Sequence, residues 1–373
     1  MRIEGLRAGL GLLLLAAGNA YGGISGQVSL VGLEQSADLI VVGGASGGVQ
    51  SGAALSFKLQ VDRVIKGDPT VAGTPIAVEW ASMDHPGPPA LGPPEVGGNG
   101  LWFLQRSSSG WELLPAMRGG AFEGTYIPEP LGTISSAYAY SPSAALSDKV
   151  ASEIGAALEA ANGGGAELAG MYNLLDELRS PVIQLLYSRL SASVSTNQRI
   201  LGLSGLIRGG SATALGAAIE IASSLGAYPL ESGVLFESVR NEFRSTDSTS
   251  VGILGQIATA PTCPSQPLRE AAARALVAIH TQQALPYLAA LLDDSDPNLR
   301  SEGIGGLGSF ANGLSVQTTA SVPSLSYLQR PPSAPYMTKA TIANFALGPA
   351  AATDARLSFW KAWWLQNRAA LGY

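Results

Sequence analysis

The chain has one cysteine, Cys263, and two histidines, His85 and His280, in 373 residues. A single thiol excludes an intramolecular disulfide, and in an exported protein it suits burial better than catalysis. Two histidines leave almost no choice of imidazole base, and no C-x-x-C or H-x-x-x-H spacing is present, so a structural zinc site is not expected. Charge is also sparse, at 13% of residues with a net value of −6. Nucleic acid binding needs grouped Lys and Arg to displace counterions, and a mildly acidic chain with few cationic clusters argues against it. No apolar run reaches the roughly 20 residues that span a bilayer.

What is present begins with an export-type leader. Arg2 and Arg7 precede an apolar run from Ala8 to Gly18, and Gly18-Asn19-Ala20 offers small residues for cleavage after Ala20. With no cysteine near that site, lipid attachment has nothing to react with. The expected product is a soluble extracytoplasmic protein, periplasmic or secreted, with no stable membrane insertion. The remaining length suffices for two or three domains. The 46 glycines and 23 prolines alternate with strongly apolar segments, so the chain as a whole does not read as disordered.

Residues 24 to about 127 read as strands. Leu39 to Val42 is an apolar run; Leu55, Phe57, Leu59 and Val61 alternate with Ser56, Lys58, Gln60 and Asp62, and Ile76, Val78 and Trp80 alternate again, with Ala77 and Glu79 between them. Leu101 to Leu104 and Trp111 to Leu114 flank the Arg106-Ser-Ser-Ser-Gly110 turn. Five or six half-buried antiparallel strands make a small, closed or nearly closed barrel. The Pro- and Gly-rich stretch from His85 to Gly100 reads as a long loop.

After residue 140 the period becomes helical. Leu146, Val150, Ile154 and Leu158 share one face, and Asn162 to Gly165 would end that helix. Leu174, Leu175, Leu178, Leu185, Leu186 and Leu190 suggest a hairpin around Pro181. The clearest signal is an internal repeat at a 31-residue offset: Leu268, Ala272, Ala275, Leu276 and Ile279 recur as Leu299, Gly303, Gly306, Leu307 and Phe310. Arg269 and Arg300 hold the same place in each copy. Leu285, Leu288, Ala289 and Leu292 form a further amphipathic helix between them, so each unit is a helix pair that must stack on neighbours to bury its face. Arg199 and Leu206 keep the Arg-to-Leu spacing, but Gly202, Gly205 and Gly209 occupy the apolar positions, which marks that copy as degenerate. The unit between 234 and 258 reads as weaker still.

Two resemblances follow from these phrases. Ser36-Ala-Asp-Leu-Ile-Val-Val-Gly43, Phe57-Lys-Leu-Gln-Val-Asp-Arg-Val-Ile-Lys-Gly67 and Gly100-Leu-Trp-Phe-Leu104 resemble the oligonucleotide/oligosaccharide-binding-type barrel of netrin-like domains and tissue inhibitors of metalloproteinases. Those inhibitors chelate zinc through an N-terminal cysteine, which is lacking here, so that mechanism is not implied. Pro267-Leu-Arg-Glu-Ala-Ala-Ala-Arg-Ala-Leu276 and Asp293-Asp-Ser-Asp-Pro-Asn-Leu-Arg300 resemble HEAT repeats of a short variety. In the second phrase Asp296 suits a helix N-cap and Pro297 the first helical turn.

The expected architecture is therefore multidomain β + α: a signal segment at 1–20, an antiparallel β-barrel at 21–140, a short HEAT-like α-solenoid at 141–322, and a loop with a closing helix at 323–373. Chemical motifs are weak beside it. Gly44-Ala-Ser-Gly-Gly48 fits G-x-S-x-G, but the residues after it alternate as a strand where a hydrolase needs a helix. Asp38-Leu-Ile-Val-Val-Gly-Gly-Ala-Ser-Gly-Gly48 resembles a dinucleotide-binding start, with Asp62 near the distance of a ribose contact, yet Ala45 breaks G-x-G-x-x-G. A glycine-rich hairpin accounts for the same residues. Asp293, Asp294 and Asp296 lack the loop glycine and terminal glutamate of a calcium loop. Ser358-Phe-Trp-Lys361 matches S-x-x-K without its companions.

No catalytic, cofactor-binding or metal residue is assigned. Trp360, Trp363 and Trp364 share one helical face, which suits core packing first and a partner surface second. The functional expectation is a non-enzymatic, exported interaction or scaffold protein whose partner is another extracytoplasmic protein. The alternative is an FAD- or NAD-dependent oxidoreductase using the turn at 43–48.

Overall fold

The computed structural model describes residues 30–51, 54–81, 99–108, 110–114, 117–118, 122–123, 126–128, 141, 143–160, 172, 175, 180–311 and 354–373. The leader at 1–20, His85, most of the 85–100 loop and the Asn162 to Gly165 helix end lie outside these residues. The chain divides into two units, 1–162 with 170–183 and 163–169 with 184–373.

The first unit is built on β1 (Leu39–Ser51), β2 (Ala54–Lys66), β3 (Pro75–Ala81), β4 (Asn99–Ser107) and β5 (Gly110–Leu113). β1, β2 and β3 form an antiparallel meander, and β4 returns beside β1, giving the spatial order 4-1-2-3 of a Greek key. β5 then pairs antiparallel with β4 and parallel with β3, which closes a five-stranded barrel. A Greek-key barrel of five strands is the architecture of the oligonucleotide/oligosaccharide-binding fold. Period-two alternation decides what lies inside: Leu39, Val41, Phe57, Leu59, Val61, Val78, Trp102, Leu104 and Leu113 form the core.

β1 and β4 are buried on their outer faces as well, through Ile40, Val42, Leu101 and Phe103. A strand covered on both sides needs a continuous apolar run, as Leu39 to Val42 and Leu101 to Leu104 provide. Two helices pack against this unit's strands. α1 (Leu30–Ser36) packs on β4, and α2 (Leu146–Ala160) on β2 and α1. Arg63 on β2 pairs with Glu153 on α2 at 2.7 Å.

Two expectations change here. Residues 30–36 form a helix, not a strand, because Leu30, Leu33 and Glu34 bury at i, i+3 and i+4. The helix at 146–160 belongs with the barrel instead of opening the solenoid at 141. Its buried run from Val150 to Leu158 packs within the first unit, which also contains the Arg63 pair.

The second unit is helical: α3 (Pro181–Ser191), α4 (Thr196–Arg208), α5 (Ala212–Glu220), α6 (Pro229–Glu237), α7 (Ser248–Thr259), α8 (Gln266–Ile279), α9 (Leu285–Leu291), α10 (Pro297–Ala311) and α11 (Asp354–Asn367). Pro181 starts α3, where its missing N–H costs nothing in a first turn. Of the other arm of the expected hairpin, Tyr172 and Leu175 are helical and buried, while Leu174 and Leu178 lie outside the described residues. Leu186 and Leu190 are buried, whereas Leu185 is exposed.

Among the described residues, four helices carry the repeat. α7 packs on α8 and α9 on α10; α7 also meets α9, and α8 meets α10, so first and second helices stack in separate layers. The 31-residue offset extends to the first layer. Leu254, Ile257 and Ala258 of α7 correspond to Leu285, Leu288 and Ala289 of α9, and all six are buried. The supposedly weak unit before 258 is thus half of a regular pair.

Candidate interaction surface

The two copies of the repeat phrase begin with equivalent caps. Ser265 Oγ accepts from Leu268 N at 3.4 Å, and Asp296 Oδ1 accepts from Leu299 N at 3.3 Å and Asn298 N at 2.6 Å. Each cap satisfies amide donors that the first helical turn leaves unpaired.

The arginines at equivalent places differ in environment. Arg269 is buried, donates from Nε to Ala258 O at 3.2 Å, and forms an ion pair with Asp294 in the turn that leads to α10. It therefore ties α7, α8 and the next turn together. Gln266 extends the network by donating to Asp296 Oδ2 at 2.6 Å, and Asp296 N donates to Asp294 Oδ1 at 2.9 Å. Arg300 instead donates to the carbonyls of Asp294 and Ser295. Asp294 and Asp296 thus serve inter-repeat pairing and capping, Asp293 pairs with Lys361 of α11, and no metal-binding group of three such residues exists among the described residues.

Outside this buried network, polar pairs join the second-layer helices. Arg274 Nε donates to Glu302 Oε1 at 2.8 Å, and Asn298 Nδ2 donates to Glu270 Oε1 at 3.2 Å. The Glu302 carboxylate, first among its influences, raises the Arg274 pKa, so the guanidinium stays charged. Exposed charge thus runs from one repeat to the next.

The tryptophans are only partly available to a partner. Trp360 is 0% and Trp363 7% exposed, both within the core of the second unit, and Trp364 is half-buried against it. α11 packs on α10 and α9, and Trp360 stacks edge-on with both Phe359 and Trp363. Core packing, the first of the two sequence readings, describes Trp360 and Trp363. The end of the chain is anchored as well: Gln282 donates to Leu371 O, and the Tyr373 hydroxyl donates to Gln282 O at 2.9 Å.

The glycine motif has a different structure from the expected hairpin. Gly43 to Gly48 lie inside β1, paired with β2 up to Ser51↔Ala54, so the reversal of chain direction comes later. The register slips by one residue between Ser46 and Val49, and Gly47 has φ 67°. That is a β-bulge with a left-handed glycine, which draws on the same residues as a tight turn. Ser46 is exposed in this strand and lies opposite Lys58. No helix follows to receive a pyrophosphate or to make a nucleophile elbow; the chain continues into β2, where Asp62 sits. Gly43 is required for close approach, because a Cβ there would fall 2.1 Å from Gln60 O.

The other reactive groups have structural places. His280 ends α8 in a left-handed conformation, φ 53°, with its ring against Phe310. Cys263 is half-buried, its thiol directed at Ser265 O at 3.7 Å. Ser358 is exposed, and Lys361 pairs with Asp293.

Comparison with known proteins agrees with the layered repeat. The family model for HEAT repeats matches residues 253–343, which begins within α7 and takes in α8, α9 and α10. No curated protein and no solved structure matches the chain. Among the described residues no helix is long and apolar enough to cross a membrane.

Proposed function

We propose that this chain is an exported interaction or scaffold protein without catalysis of its own, which binds another extracytoplasmic protein through its barrel and solenoid surfaces. The observation that carries this reading is the HEAT-repeat match at 253–343, coincident with the two stacked helical layers. Repeats of this kind generate extended surfaces because each unit contacts only its neighbours and leaves one face of every helix open. Here Glu270, Arg274, Asn298 and Glu302 line such a face across α8 and α10. Export rests on the basic start, the apolar run and the small residues up to Ala20. Neither nucleic acid binding nor membrane insertion of the cleaved chain is part of the proposal. The oxidoreductase alternative finds no support, since its required turn and helix are replaced by β1 and β2.

A photo-reactive residue at Arg274 tests the reading in cells. The proposal expects a discrete covalent adduct with another extracytoplasmic polypeptide, weakened by Glu302→Lys. Adducts to nucleic acid, or a cytoplasmic location of the chain, would contradict it.

A further inference from the structure

Glu34 is a buried ionisable group that the interaction reading leaves unused. It lies on α1, is 6% exposed, and its Oε1 has no hydrogen-bond partner among the described residues. An ionised carboxylate in such a place is disfavoured unless it is paired and hydrogen-bonded. Lys66, at the end of β2, is close enough to act on it, yet its Nζ is directed elsewhere, to Glu34 O at 2.8 Å and Gln35 O at 3.3 Å. The ammonium thus serves the open carbonyls at the helix C-terminus, where a cation is favoured.

The helix is joined directly to the barrel seam. Ala37 N donates to Leu33 O, Asp38 N to Leu104 O, and Arg106 N to Asp38 Oδ2. Leu30 and Leu33 bury beside Glu34. The other charged groups on elements packed against α1 are Arg106 from β4 and Asp148, Lys149, Glu153 and Glu159 from α2. Arg106 lies over the Trp111 ring, Glu153 pairs with Arg63, and Asp148 accepts from Ser180 Oγ.

We propose that the docking of α1 on the barrel is a proton-dependent latch: it is held while the Glu34 carboxyl is neutral and released as that group ionises on the approach to neutral pH. Burial, opposed in part by Lys66, pushes the Glu34 carboxyl up to about 7 from its ordinary 4.5. A group raised in the folded state stabilises fully below its unfolded pKa, and the contribution is lost as pH rises through the folded value. The latch therefore loosens between about pH 4.5 and 7, and opening of α1 exposes the β1–β4 seam at Asp38.

Amide hydrogen exchange of residues 30–38 in the full chain, corrected for intrinsic rates, reads this directly. Between pH 6 and 8.5 the opening equilibrium of the wild type should rise about tenfold, while Glu34→Gln stays flat. A flat wild-type profile, or an equal slope in Glu34→Gln, overturns the latch. Should Glu34→Gln misfold, carbon NMR of the wild-type Glu34 carboxyl decides: a midpoint near 7 supports the latch, and one below 5 overturns it.

Discussion

The Tyr287 ring lies so close to Gly255 that a Cβ added there would fall 2.3 Å from its Cδ1. Tyr187 and Gly205 repeat the relationship earlier in the second unit, where an added Cβ would meet the ring at 2.2 Å. In both places a tyrosine on one helix occupies space that a side chain on the facing helix would need. Gly255→Ala and Gly205→Ala should each cost about 1–3 kcal/mol by overpacking. Gly216→Ala and Gly233→Ala, at helical glycines with open space, should be neutral or stabilise by up to about 1 kcal/mol. Urea unfolding of the four variants checks the contrast.

Leu276 and Leu307 are fully buried equivalents in consecutive second-layer helices. Truncation of either to alanine should cost roughly 2–5 kcal/mol, since each leaves a cavity between stacked helices. Glu270→Ala, which removes one hydrogen bond from a half-buried site, should cost far less. Equal, small losses at all three positions in a denaturant titration would remove the basis for a shared core.

These contacts indicate how much was legible beforehand. Leu268 and Leu299 announce their helices because large apolar residues mark the buried face at helical spacing. Gly202 and Gly205 look degenerate in sequence because the volume at those positions comes from Leu190 and Tyr187 on α3. α7 was missed as a repeat partner because Leu254, Ile257 and Ala258 carry no arginine to identify them. α1 was missed for a different reason: seven residues are too few to separate a 3.6 period from a 2.0 period. In sequence the bulge at Gly47 and a tight hairpin look alike, because both need a residue with positive φ. Strand order was foreseen only as a closed barrel; pairing of β5 with β3 depends on contacts remote in sequence.

Arg269 should be more sensitive than its repeat equivalent. Its side chain and that of Asp294 are 7% and 11% exposed, so removing one partner strands a charge away from water. Arg269→Ala is expected to cost about 3–5 kcal/mol. Arg300→Ala, which loses donors to two carbonyls at a more open site, should cost clearly less. Thermal unfolding of both variants provides the comparison.

Acid should loosen α7 through its cap. Asp247 accepts from Ser245 Oγ, Ser250 Oγ and Ser250 N, and these hydrogen bonds hold its carboxyl down at about 2. A depressed carboxyl contributes fully above its ordinary value of 3.8, and the contribution is lost as pH falls through about 2. Asp247→Asn should therefore flatten the acid limb of helix content followed by circular dichroism. An unchanged acid limb would show that the cap contributes nothing.

Whether the chain binds or catalyses is tested most directly at the exposed glycine bulge. Ester turnover on small acyl esters and bound flavin or nicotinamide should be measured for the wild type, Ser46→Ala and Gly47→Ala, with folding checked in each. An interaction protein predicts neither turnover nor cofactor in any of the three, with Ser46→Ala folded like the wild type because its side chain is exposed on β1. Turnover that Ser46→Ala abolishes, or a cofactor that folded Gly47→Ala no longer holds, would contradict the account.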